Sequence, residues 1–440
     1  MRADEVARDT IAAIATPTGR GGVGIVRISG AAVPRVASAV LGRLPAPRRA
    51  VYAAFRDARG ETIDRGLALY FPAPRSYTGE AVLELQGHGG PVVLGELLAA
   101  CLDAGARLAE PGEFTRRAFL EGRIDLAQAE AVADLIDAAS REAARSAMRS
   151  LSGEFSAAIE HLRARLVELR ALTEAMLDFP EEEVDELHRA DAQTKLAAAR
   201  AALADVLQKS RQGSLLRSGV HVVLAGPPNV GKSSLLNRLA GQERAIVTPI
   251  AGTTRDALRE PVQIEGVPLT LVDTAGLHAS IDHIERLGME RTWREIESAD
   301  VVLDIAEAGD TPPPLQGVPE RAVRLAVFNK VDLHPGFAVP SGAIAVSALT
   351  GAGLGRLRVA ILEAAGWSSS GESVFLARER HLRALAGCEE HLLHAAERSG
   401  RWELFAEELR LAHDQLSSIV GAFTSDDLLG EIFARFCIGK

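Results

Sequence analysis

The sequence predicts a multidomain protein combining α/β and all-α parts: an N-terminal α+β domain, a discontinuous helical domain, and a P-loop α/β domain inserted into it. Three observations carry this reading. Short β-rich runs separated by Gly, Pro and Ser turns fill residues 1–125. An Ala/Leu/Glu/Arg-rich texture with apolar residues three and four apart occupies 126–214 and returns within 369–440. Between them, over 215–368, strand and helix patterns alternate around a glycine-rich motif, "GPPNVGKS". At 440 residues the chain exceeds one ordinary core.

The elements follow in order. "TIAAIAT", "GIVRIS", "GLALYF" and "AVLELQG" read as strands, and "PVVLGELLAACLDAG" as a helix with a glycine stop. From Leu126 to "EAML" the pattern predicts one long helix or a helix pair, broken by "DFPEEEVDEL", a solvated acidic turn. A second helical run covers 190–210; strands and helices alternate from Val222 to about Gly366; "SSSGES" is linker-like, and 374–435 is helical. A split helical domain tolerates such an insert when the insert's termini lie close together.

Composition narrows the class. A content of 47% hydrophobic and 25% charged residues is that of a globular protein. The net charge of −10 excludes a generally basic nucleic-acid coat but leaves room for a local basic patch. Cys101, Cys388 and Cys437 are far apart without a CxxC pair, which argues against a disulfide framework or a zinc site and for a reducing compartment. "MRADEVARDT" lacks the apolar core of a secretory signal, and no run approaches the roughly 20 apolar residues of a membrane span. A cytoplasmic protein without a membrane partner is expected.

The strongest local signal lies in "VVLAGPPNVGKSSLLNRL", where an apolar strand meets GxxxxGK[ST] and an amphipathic helix follows. Backbone N–H groups of such a loop curl around phosphate oxygens at a helix N-terminus. Lys232 reaches the β/γ-phosphates, and the Ser233 hydroxyl ligates Mg²⁺. "LTLVDTAGL" puts Asp273 at a strand end for the magnesium shell, with Gly276 offering an N–H to the γ-phosphate. "LAVFNKVDL" ends on Asn329, Lys330 and Asp332, whose carboxylate accepts both hydrogens of guanine's N1–H/2-amino edge; adenine has no such pair. Ser347, Ala348 and Leu349 cover the base, and Thr254 in "VTPIAGTTRD" is the second Mg²⁺ hydroxyl in a first switch. Together these motifs specify a GTPase of the Ras-like P-loop type. The predicted GTP-binding set is Asn229, Val230, Gly231, Lys232, Ser233, Ser234, Thr248, Thr254, Asp273, Thr274, Ala275, Gly276, Asn329, Lys330, Asp332, Ser347, Ala348 and Leu349.

Leu277 departs from this pattern, because leucine cannot orient the attacking water as glutamine does in Ras. His278, Asp282, His283, Glu285 and Glu290 are the downstream candidates for that task. Asn229 and switch-loop carbonyls offer a place for a monovalent cation where an arginine finger's charge would sit.

Several stretches are distinctive: "ATPTGRGGVGIVRISG", "SYTGEAVLELQGHGGP", "PGEFTRRAFLEGRIDLAQAEAVADLIDA", "DTAGLHASIDHIERLGMER" and the terminal "FCIGK". With the GTPase motifs they resemble, over the whole chain, the bacterial tRNA-modification GTPase family MnmE, also called TrmE. The resemblance implies a folate-binding, dimerising N-terminal domain, a homodimer, and an FAD-containing partner of the MnmG type. It implies addition of an aminomethyl or carboxymethylaminomethyl group to C5 of wobble uridine (position 34) in certain tRNAs. A 5,10-methylene- or 5-formyl-tetrahydrofolate would supply the carbon. By match, K⁺ would be held by Asn229 with Thr248, Ile250 and Thr253, driving G-domain dimerisation, and Glu285 would orient water beside catalytic Lys232. Folate contacts would be Arg27, Glu84, Arg123 (where the family often has lysine) and Lys440.

The tail raises its own question. Cys437 stands where a prenylation box would put it, but Gly439 and Lys440 suit that box poorly. The expectation is that the last helix carries Cys437 toward the folate pocket as a nucleophile or proton donor. Arg141, Arg145, Arg149, Arg163, Arg165 and Arg170 are the expected basic cluster for tRNA. A switch that only recruits partners, as in ribosome assembly, and a stand-alone one-carbon transferase are the competing readings. "GRGGVG" is discounted as a dinucleotide loop because a strand follows it; His88 is expected as a cap or core residue rather than a ligand or base, and Cys101 and Cys388 as core fillers.

Overall fold

The computed structural model describes residues 9–178, 186–241, 259–273, 297–310, 319, 321–368, 374–398, 400–421, 426–434, 436 and 439. They fall into two compact units, Met1–Ala133 with Ser417–Lys440 and Asp134–Leu416.

The first unit is built on a six-stranded sheet. In chain order its strands are β1 (Ile11–Ile14), β2 (Gly21–Ser29), β3 (Val51–Arg56), β4 (Thr62–Phe71), β5 (Val82–Gly89) and β6 (Arg107–Leu108). Their spatial order is β3-β4-β5-β2-β1-β6, antiparallel except for the β1–β6 pair. Helices α1 (Val33–Leu41) and α2 (Pro91–Asp103) cover one face, burying Val36, Leu97 and Cys101 against Val26, Ile28, Leu83 and Leu85. Ile11, Ala13, Ala109 and Phe114 form a separate cluster, Phe114 being supplied by α3 (Glu113–Leu120). "GRGGVG" feeds β2 directly, so the strand reading of that segment holds. The sequence reading missed α1 and β3. The first is nine residues long, and the second has a weak alternation with Tyr52 exposed.

The chain's last helix belongs to this unit. Phe433 and Phe436 pack with Leu126, Ala129, Leu429 and Ile432, while Phe119 closes on Phe433 at 6.4 Å between ring centroids.

The stretch expected as one helix or a pair is three: α4 (Leu126–Asp137), α5 (Arg141–Leu151) and α6 (Glu154–Asp178). The breaks have local causes. The Ser140 hydroxyl accepts the Ala143 N–H at 3.1 Å and caps α5, and Ser152-Gly153 ends it. The second unit continues with α7 (Glu186–Ser218), and 374–378 are extended before the later helices begin.

The sheet of the second unit runs β12-β11-β10-β7-β9-β8, parallel except for the β8–β9 hairpin. Its strands are β7 (Val220–Ala225), β8 (Arg259–Ile264), β9 (Val267–Asp273), β10 (Val301–Glu307), β11 (Val323–Asn329) and β12 (Ile344–Ala345), with helices α8 (Lys232–Ala240) and α9 (Leu354–Ala364). Pro261, which cannot donate to a ladder, sits on the edge strand. Parallel strands place their carboxyl ends on one edge, and ligands of such sheets bind there. That edge carries Gly226 after β7, Asp273 ending β9 and Asn329 ending β11. Helices α10 (Glu379–Glu397), α11 (Trp402–Val420) and α12 (Asp426–Ala434) complete the described chain. No helix among the described residues is long and apolar enough to cross a membrane.

Candidate functional site

The phosphate loop leaves β7 at Gly226 and enters α8 at Lys232. Asn229 is exposed and left-handed, with φ +64°, a conformation asparagine tolerates better than most residues. Gly231 is left-handed as well, and a Cβ there would lie 2.4 Å from the Asn329 amide nitrogen. A side chain at that position would meet the Asn329 amide that bonds the Val230 carbonyl. Val230 is buried beneath the loop, and Ser234 follows on the exposed face of α8.

Lys232 is 4% exposed, and its Nζ donates to the carbonyls of Gly226 and Pro227, both at 2.7 Å. Burial holds its ammonium below the usual lysine range, with Asp273 opposing that shift. The Ser233 hydroxyl donates to Asp273 Oδ2 at 2.5 Å. A hydroxyl and a carboxylate brought together here are hard oxygen donors, the kind Mg²⁺ takes beside phosphate.

Asn329 is 1% exposed and acts as a brace. Its Nδ2 donates to the Val230 carbonyl at 2.8 Å, and its Oδ1 accepts the Ala348 N–H at 3.1 Å. One amide thus ties the phosphate loop to the segment expected over the base. Lys330 is left-handed at φ +61° and pairs with Glu307 Oε2 at 2.6 Å. Asp332 is exposed on the 3₁₀ turn Val331–Leu333. Ser347 is buried and its Oγ accepts the Thr350 N–H, whereas Leu349 is 78% exposed. Glu307 and His334 went unnoticed in the sequence. Hydrogen bonds from Lys330 and then His334 hold the Glu307 carboxyl below the usual range, and nothing in "VLDIAEAGD" marks that pairing.

Thr248, Ile250, Thr253, Thr254, Thr274, Ala275, Gly276, Leu277 and Glu285 lie outside the described residues, as do the other water-orienting candidates. Cys437 and Lys440 do too.

In the first unit, Arg27 on β2 stands opposite Glu84 on β5 in the strand register. Their side chains meet: Arg27 Nε and Nη2 both lie 2.9 Å from Glu84 Oε1. The third nitrogen, Nη1, donates to the Gly439 carbonyl at 3.3 Å. The guanidinium also lies over the rings of Tyr77 and Phe114, 5.9 and 5.8 Å from their centroids. Gly439 has φ +97°, and a Cβ there would be 2.4 Å from the Ile14 carbonyl, so the tail's approach to β1 requires glycine. Arg123 is exposed, its Cγ near Gly79 in the loop that carries Tyr77.

Beneath this pair lies a polar network that the motif "PGEFTRR" did not disclose. Arg117 and Glu113, 3% and 2% exposed, bond at 2.8 Å; Arg107 reaches the same Glu113 oxygen at 2.7 Å; Glu80 links Arg117 to Ser29. His88 is a correction. It is neither cap nor core: its side chain is 75% exposed, with Nδ1 2.8 Å from Asp64 Oδ1. Cys101 and Cys388 are core residues, their thiols pushed up to about 12 by burial.

Arg163 and Arg170 pair with Glu160 and Glu174 on their own helix, and Arg165 bonds His161. Arg145 and Arg149 line a cavity of about 330 Å³ of mixed charge, with Glu142, Glu265 and the Lys209–Asp205 pair.

Comparison with known proteins accords with these features. The family model described as the MnmE helical domain matches residues 126–437, and the one described as the GTP-binding protein TrmE N-terminus matches 10–123. The tRNA modification GTPase MnmE of Azoarcus sp. (strain BH72) is 58% identical over 443 residues, covering 98% of both chains. That of Ralstonia nicotianae (strain ATCC BAA-1114 / GMI1000) is 58% identical over 457 residues, covering 98% of this chain and 96% of its own. Among solved structures, the FeoB G domain of Methanococcus jannaschii covers 34% of this chain and 98% of its own at 24% identity, with a TM-score of 0.24. With 58% identity across almost its whole length and both parts matched by the family's own models, the chain belongs to the MnmE family of tRNA modification GTPases.

Proposed function

We propose that this protein is the GTP-hydrolysing subunit of a complex that adds an aminomethyl or carboxymethylaminomethyl group to C5 of wobble uridine in certain tRNAs. Family membership makes it a GTP hydrolase that serves tRNA modification. The finer reading assigns a folate-binding N-terminal domain over 1–125, a helical domain over 126–214 and 369–440, and a G domain over 215–368. The protein works in the cytoplasm as a homodimer, with an FAD-bearing MnmG-type partner and tRNA. Arg145 and Arg149, from the expected set of six arginines, are the cations assigned to tRNA phosphates.

In the G domain, Lys232 exchanges its two loop carbonyls for β/γ-phosphate oxygens when GTP enters. Ser233 and Thr254 would hold Mg²⁺, which neutralises phosphate charge when bound. Asp332 reads guanine's N1–H and 2-amino group. Asn229 with carbonyls of Thr248, Ile250 and Thr253 would hold K⁺, and Glu285 orients the attacking water. In the N-terminal domain, Glu84 would accept from the pterin's amino edge with Arg27 beside it, while Arg123 and Lys440 would face the carboxylates of the glutamate tail. A tetrahydrofolate held there would supply the one-carbon unit, and Cys437 is the thiol assigned to it as nucleophile or proton donor.

The observation that carries the folate reading is the meeting of Arg27, Glu84 and the Gly439 carbonyl. A carboxylate and a cation beside two aromatic rings suit a flat, polar-edged heterocycle with an anionic tail. The test is mass spectrometry of wobble nucleosides from a deletion strain complemented with Lys232→Ala or Cys437→Ser variants. The modified nucleosides should be lost; normal modification accompanied by defective ribosomes would establish the recruiting-switch reading instead. Replacing K⁺ by Na⁺ should lower GTP turnover markedly, and unchanged turnover would remove the cation assignment.

A further inference from the structure

Helices α10 and α11 carry a cluster that belongs to neither site above. His391 and His394 stand one turn apart on α10, and Glu408 faces them from α11. Glu408 is 5% exposed, while the two histidines are partly exposed. His391 Nδ1 lies 2.7 Å from Glu408 Oε2, and His394 Nδ1 lies 3.9 Å from the same oxygen. The other carboxylate oxygen, Oε1, is bonded by Arg398 Nη1. Each of the three residues offers one donor atom within 4.8 Å of the other two, and no other such grouping of His, Cys, Asp and Glu occurs among the described residues.

A hydrogen bond from His391 together with the Arg398 ion pair would account for a buried glutamate. The second imidazole stands 3.9 Å from the same oxygen, beyond hydrogen-bond length and within reach of an ion pair or of a shared ion. A tetrahedral zinc with bonds of 2.0–2.1 Å needs donor–donor separations of about 3.3 Å. The separations from Glu408 Oε2, 2.7 and 3.9 Å, straddle that value, and the two imidazole donors lie within 4.8 Å of each other.

We propose that His391, His394 and Glu408 form a Zn²⁺-type site that fastens α10 to α11, with water in the fourth position. Two imidazoles and one carboxylate select zinc over magnesium or calcium, which take oxygen donors. Arg398 fills the outer-shell role expected of a group that bonds a ligating carboxylate on its unused oxygen. The cysteine pattern pointed away from zinc, and this site uses none of the cysteines.

The test is Zn²⁺ competition against a chromophoric chelator on the full-length protein, in excess Mg²⁺ and GDP to occupy the nucleotide site. Co²⁺ substitution serves as a visible-absorption probe. One equivalent should bind with tetrahedral Co²⁺ bands. His391→Ala and His394→Ala should each weaken binding by more than the roughly 100-fold that losing an outer-shell partner can cost. Zn²⁺ should raise the Tm of the parent protein and of neither variant. Both histidines are partly exposed, so the variants keep the fold, and circular dichroism checks this. Absence of stoichiometric binding, or equal binding in parent and variants, would overturn the proposal.

Discussion

In the nucleotide site, the loop carbonyls, the lysine and the hydroxyl come from the eight consecutive residues Gly226–Ser233. The Arg27–Glu84 site takes its groups from two neighbouring strands and from a tail 412 positions away. The first is preassembled by backbone conformation, through left-handed Asn229 and Gly231. The second exists only if the sheet register holds and the last helix stays docked. Damage to the first should therefore affect chemistry while sparing the fold, whereas the second should fail through packing.

The largest effect tests that docking. Phe436 is 6% exposed within the cluster that seats the tail, and Phe436→Ala should cost about 3–5 kcal/mol of the first unit's stability. Denaturant unfolding followed by a probe in that unit measures it. If affinity for the folate proposed for that unit falls while GTP turnover by the isolated protein is kept, the two regions are independent; equal loss of both would break the comparison.

Lys232→Ala comes next. Removing a preorganised cation from the transferring phosphoryl group should lower kcat roughly 100- to 1000-fold, with the Tm little changed, as read by phosphate release and calorimetry. Asp332→Asn should cost less. It trades a charged acceptor of two hydrogens for an amide, so GTP affinity should fall about 10- to 100-fold by titration with a fluorescent analogue. Folate binding should not respond to either change.

The smallest effect is one of pH. Burial pushes the Glu113 carboxyl up, but Arg107, the Glu110 N–H and Arg117 outweigh burial and hold it below the usual range. A depressed carboxylate contributes stability that is present above its unfolded value, about 4.3, and lost as pH falls through the folded one. The first unit should weaken below about pH 4.3. Glu113→Gln should flatten that part of the profile, and an unchanged acid limb would show that the network does not hold the unit together.

Much of this was legible in the sequence, for reasons that differ by residue. Gly226, Lys232, Ser233, Asp273, Asn329 and Asp332 were named from motifs because each motif begins at the end of an apolar strand, and strand periodicity survives in the sequence. Asn329 was given to the nucleotide, yet its amide braces Val230 to Ala348, a role that depends on segments 99 and 19 positions away. The breaks that make three helices of 126–178 hinge on one serine cap and one Ser-Gly pair, signals too weak to outweigh the surrounding alanines and leucines. His88 was expected as a cap or core residue, and only the pairing of β4 with β5 brings Asp64 to its exposed side chain.

The sequence by itself determined the GTPase type, the split helical texture and the family, because those reside in short contiguous patterns and in backbone preferences that act within a few residues. Only the tertiary structure decided that Arg27 faces Glu84, that the tail's Gly439 carbonyl accepts from Arg27, and that Glu113, Arg117 and Arg107 share one buried network. Those pairings depend on strand register and on burial of Phe433 and Phe436 against Leu126 and Phe119. A one-residue slip would turn Arg27 to the other face, and without aromatic burial nothing local would hold the tail.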